Sequence, residues 1–126
     1  MPPDEPLVVT VHEGGRILRA VVTVQGGDLT VAVDGGDRPH VGCVVLAVPR
    51  EPETGRLPTV SVLALPHHRE EAIARPMAET LAARLGAVTV VAAGVHENGA
   101  TPEAIARWLE LAQRLTTAIL ARLDRS

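Results

Sequence analysis

Histidine, at His40, His67, His68 and His96, is the residue type in this chain best placed to do chemistry. Three stretches set it beside other polar groups: His40-Val41-Gly42, Pro66-His67-His68-Arg69-Glu70-Glu71 and Gly94-Val95-His96-Glu97-Asn98-Gly99. Neutral imidazoles, two or three together with an acid or an amide, suit Zn²⁺ or a similar borderline cation. Arg69, at the start of a helix with its backbone amides nearby, suits a phosphate instead. A metal-bridged phosphate would use both. Nucleophilic catalysis finds little support. Ser61 falls mid-strand, Cys43 sits among valines and reads as inert core, and neither a Gly-x-Ser-x-Gly elbow nor a Walker-type loop occurs.

The elements that must position these loops follow from periodicity. Residues 59–66, 69–85, 87–95 and 102–123 read as strand, helix, strand, helix. A strand–helix–strand unit in one sheet is nearly always a right-handed crossover between parallel strands, so the two later histidine loops should share one sheet edge. Each would then lie at the positive N-terminus of a helix. Upstream, residues 7–12, 16–25 and 29–34 alternate apolar and polar between Gly-Gly turns, as in an antiparallel meander. Residues 40–48 are nearly continuous in apolar character and predict a central strand covered on both faces.

The expected fold is therefore α+β: a six-stranded mixed, mainly antiparallel sheet in the order β-β-β-β-β-α-β-α, with two helices on one face. Tracing strand directions brings all five histidines to one edge, with Asp34, Asp37, Glu70, Glu71, Glu97 and Asn98. His12 is expected to be lateral and solvated. The first helix presents Ile73, Met77, Leu81 and Leu85 to the core, with a bend at Pro76. The second presents Ile105, Trp108, Leu109, Ala112, Leu115, Ile119 and Leu123, with Leu111 and Ala118 widening the stripe toward a second buried contact, behind a Thr101-Pro102-Glu103 start. Two helices about 10 Å wide cover roughly four strands spaced about 4.8 Å. The other face keeps apolar residues among its Thr and Arg, and a homodimer is the expected cover.

Composition narrows the function classes. The chain has 126 residues, 46% hydrophobic and 21% charged, which predicts one globular domain over 1–126. A net charge of −3 and a single aromatic residue, Trp108, argue against nucleic-acid binding. The longest apolar run, 41–49, is too short to cross a bilayer and no signal segment opens the chain, so a soluble cytoplasmic protein is expected.

The His40-Val41-Gly42 opening, the Leu65-Pro66-His67-His68-Arg69-Glu70-Glu71 loop and the Gly94-Val95-His96-Glu97-Asn98 loop together resemble the LpdD-like proteins, small partners of gallate-type decarboxylases. The resemblance covers roughly residues 38–123. It implies a fold similar to proteasome assembly chaperones and a non-enzymatic, homodimeric chaperone that binds prenylated FMN and supplies UbiD-type decarboxylases. It further implies cofactor-binding residues His40, Gly42, His68, Arg69, His96 and Asn98. Of these, His40, His68 and His96 would hold a divalent metal, Zn or similar, at the phosphate; either His67 or His68 takes the aligned place. Two other readings stay open: a ligand-free assembly module, and a metal-dependent hydrolase with Glu71 or Glu97 as general base.

Overall fold

A computed structural model describes residues 5–51, 57–66 and 70–123. Its elements are β1 (Leu7–Glu13), β2 (Arg16–Gln25), β3 (Asp28–Gly36), β4 (Cys43–Val48), β5 (Thr59–Ala64), α1 (Glu71–Leu85), β6 (Thr89–His96) and α2 (Pro102–Leu123). The six strands form one sheet in the order β1-β2-β3-β6-β4-β5. Among the described residues only the β3–β6 pairing is parallel; the other four are antiparallel. The α+β architecture and its element order are those the periodicity predicts.

Strand alternation separates the two faces. Val9, Val11, Leu18, Ala20, Val22, Val31, Val33, Val45 and Val91 turn inward and are buried beneath the helices. α1 packs on β4 and β6, and α2 on β1 and β2. α1 brings Ile73, Met77 and Leu81 to that core as expected, and Ala74, Ala78 and Ala82 bury beside them. Pro76 sits within an unbroken α1. α2 buries Trp108, Ala112, Leu115 and Ile119 as expected, with Leu111 widening the stripe, and extends it to Ala104, Thr116 and Leu120. Ile105, expected in the stripe, is 43% exposed. At 100° per residue, facing both the sheet and α1 draws the buried arc toward Leu111, Thr116 and Leu120 and leaves Ile105 at the rim.

Among the described residues the opposite face carries no helix. One row crosses all six strands: Val8, Val21, Ala32, Ala92, Val44 and Leu63 stand in direct register. Val8 is 51% and Leu63 75% exposed.

β4 begins at Cys43 rather than at residue 40, so His40 and Gly42 belong to the segment entering it. The reason is spatial. That segment passes so close to β6 that a Cβ on Gly94 would overlap the His40 carbonyl, and a Cβ on Gly42 would come within 2.5 Å of Glu70 Oε2. Both positions are glycine because backbone or a buried carboxylate occupies the space a side chain would need.

Candidate functional site

β1, β3, β5 and β6 run toward one edge of the sheet, and β2 and β4 away from it. His96 ends β6 at that edge, His40 precedes β4 there, and His12 lies near the end of β1, at the lateral limit of the sheet. His67, His68 and Arg69, three of the expected convergent groups, lie outside the described residues.

His40 is held from both sides of its ring. Nδ1 lies 2.9 Å from the Arg38 carbonyl oxygen, to which it can only donate. Nε2 lies 2.9 Å from Glu70 Oε1. Glu70, 6% exposed at the N-cap of α1, also accepts the Val95 backbone N–H on Oε1 at 3.4 Å. The contacts tie the β3–β4 loop, the start of α1 and the end of β6 to one buried carboxylate. Glu70 is the residue whose importance the sequence hid, since it reads there as one of two acids opening a helix.

His96 faces a different way. Its Nε2 is 3.0 Å from Asn98 Oδ1 and 3.2 Å from the Arg38 guanidinium. One ring nitrogen cannot both donate to the amide oxygen and accept from arginine, so the two contacts are alternatives. Asp37 staples the loop beneath: its N–H donates to the His96 carbonyl at 2.6 Å, and its carboxylate accepts the Asn98 N–H at 2.7 Å.

Glu97 turns the other way from His96. It accepts from Arg16 Nε at 2.8 Å, Arg16 Nη2 at 3.3 Å and the Trp108 indole N–H at 3.0 Å. The Arg16 hydrogen bond holds the Glu97 carboxyl below the usual carboxylate range; partial burial opposes that, and the Trp108 bond adds to it. The same bond raises Arg16. Glu71, the other acid expected as a general base, pairs with Arg75 one turn along α1 at 3.4 Å. Burial, followed by Glu71 and Glu70, pushes the Cys43 thiol up, as an inert core cysteine requires.

Between the N-terminal ends of the two helices and the end of β6 lies a pocket of about 500 Å³. Ile73, Val95, Ala100, Ile105, Trp108 and Leu109 give it apolar walls, and Arg38 and His96 stand at its polar side, with Glu70 and Glu97 also reaching it. Its size falls in the ~300–1,000 Å³ range of small-molecule sites. Thr101 caps α2 at this end, its hydroxyl accepting the Ala104 N–H at 3.1 Å. His40, Gly42 and Asn98 do not line the pocket; the first two sit behind Glu70, and Asn98 touches His96 from outside. Arg38 and Ile105, neither expected there, line the pocket, and Trp108, buried as expected, also forms a wall. Only the two-residue spacing from Arg38 to His40 could have signalled the first.

Among the described residues no three His, Cys, Asp or Glu side chains are grouped to hold a metal ion. At His96 the neighbouring Arg38 guanidinium, 3.2 Å from Nε2, would repel a bound cation.

Comparison with known proteins gives a consistent picture. A family model described as "Prenylated flavin chaperone LpdD-like domain" matches residues 12–124. The chain is 30% identical over 116 residues to Protein LpdD of Lactiplantibacillus plantarum, spanning 91% of this chain and 83% of that one. Among solved structures, it is similar to one titled as a novel chaperone complex for yeast 20S proteasome assembly. That match has a TM-score of 0.61 and 16% identity, and covers 95% of this chain and 98% of the other. At that identity the likeness concerns the fold.

Proposed function

This chain belongs to the LpdD-like prenylated flavin chaperone family, and on that premise we propose that it binds prenylated FMN as a non-enzymatic carrier and supplies it to a UbiD-type decarboxylase in the cytoplasm. The observation that carries this reading is the pocket between the helix N-termini, apolar along its walls and polar at one side, where the Arg38 guanidinium stands beside His96. A prenylated isoalloxazine needs apolar surface and its phosphate needs donors. Aliphatic walls with one indole suit a carrier, which must release its cargo.

The two acids that a hydrolase would use are already engaged, Glu97 by Arg16 and Trp108 and Glu71 by Arg75. That favours carriage over catalysis. Among the described residues no donors group as a metal site, and the expected His40, His68 and His96 set includes His68, which lies outside them. The apolar row across the uncovered sheet face supports a homodimer built by apposing two such faces.

The test is co-expression with a flavin prenyltransferase, followed by an absorbance spectrum of the purified chain and transfer of its cargo to an apo-decarboxylase. We expect a flavin-like band near one per chain and gain of decarboxylase activity. Ile105→Arg, which fills the pocket mouth from a half-exposed position, should lose both while staying folded. A colourless wild-type protein would overturn the carrier reading in favour of a ligand-free assembly module.

A further inference from the structure

We propose that Arg38, on a backbone held by His40, is the residue that takes the phosphate of the cargo, directly and without a bridging ion. The inference rests on the carrier reading and goes beyond it in naming the contact.

Three observations converge on Arg38. It stands at the polar side of the pocket, its guanidinium 3.2 Å from His96 Nε2. Among the described residues it makes no ion pair, whereas Arg16 and Arg19 nearby are neutralised by Glu97 and Asp34 at 2.8 Å and 3.6 Å. Its backbone is fixed: the Arg38 carbonyl accepts from His40 Nδ1, and His40 in turn is held by buried Glu70. The acids that would otherwise repel an anion are engaged locally. Glu70 is occupied by His40 and Val95 N–H, Glu97 by Arg16 and Trp108, and Asp37 by Asn98 N–H.

A planar guanidinium offers parallel donors matched to phosphate oxygens, and its present neighbour, a ring nitrogen, is a weak competitor for them. An arriving phosphate monoester would take the guanidinium from His96, leaving His96 Nε2 free to donate to it or to Asn98 Oδ1. The histidines of the sequence motif then divide their work. His96 touches the ligand end, and His40 holds the Arg38 backbone.

The experiment is anaerobic titration of reduced prenylated FMN into the wild-type chain and three variants, Arg38→Ala, Arg38→Lys and Arg122→Ala, each with and without excess EDTA. Circular dichroism confirms folding; Arg38 is exposed, so its truncation leaves the core untouched. Losing charge-assisted hydrogen bonds should weaken Arg38→Ala roughly ten- to hundredfold, with Arg38→Lys in between. Arg122→Ala, the same charge change at the far end of α2, should match wild type. EDTA should change nothing, and inorganic phosphate should compete with cargo on wild type but not on Arg38→Ala. Wild-type affinity in Arg38→Ala, or loss of wild-type binding in EDTA, overturns this proposal while leaving the carrier reading intact. A wild-type chain that binds no prenylated FMN overturns both.

Discussion

Glu97 shows how one carboxylate can fix a loop without entering the pocket chemistry. It takes three donors, two from Arg16 on β2 and one from Trp108 on α2, and so aims the backbone that carries His96 and Asn98. Because its folded-state pKa is lowered, it stabilises the fold above its unfolded value, about 4.3, and that contribution is lost as pH falls through the folded value. Glu97→Gln should therefore melt below wild type at neutral pH, and the gap between the two melting temperatures should close only under acid, below about pH 4.3. A gap that stayed constant down to pH 3 would mean the carboxylate charge is not what holds the loop. Arg38 belongs to the same scale: an exposed side chain with a fixed backbone and no acid partner among the described residues.

The elements matter here through how closely they approach one another. The segment entering β4 lies against β6, with Gly94 facing the His40 carbonyl and the His40 ring carbon Cγ 3.1 Å from where a Cβ would stand. Gly94→Ala should push the two apart, costing roughly 1–3 kcal/mol as an overpacked site does. Gly27→Ala is the control, because nothing lies within 4 Å of its Cβ position. Urea denaturation of both variants checks this, with equal midpoints counting against the close approach. Cargo binding should fall with Gly94→Ala more than stability alone explains, because the same displacement moves His40 and hence Arg38.

At the scale of the whole molecule the uncovered sheet face decides assembly. Six strands at about 4.8 Å and some seven residues at about 3.3 Å give a face on the order of 700 Å², near the ~800 Å² per partner of a standard interface. Its central row is apolar from β1 to β5. Sedimentation should show a dimer for wild type and a monomer for Leu63→Asp combined with Val8→Asp, both at exposed positions that leave the helix-side core unchanged. A wild-type monomer at micromolar concentration would remove the homodimer from the reading.

The amino-acid sequence by itself determined the element order, the strand directions and the gathering of His12, His40 and His96 at one edge. Those follow from periods of 2 and 3.6, from turn glycines and from the handedness of crossovers, all of which are local or topological rules. Residues 16–25 and 102–123 were legible to their ends for that reason. What only the tertiary structure decided was which groups face one another. The pairing of His40 with Glu70, the turning of Glu97 toward Arg16 and away from His96, and the exposure of Ile105 depend on how closely segments pack, over separations from 30 to 81 residues for the two hydrogen-bonded pairs. The motif places His40 and His96 at one edge of the sheet. The packing makes His40 the support and leaves Arg38 facing the pocket, because a ring with both nitrogens engaged can no longer reach outward.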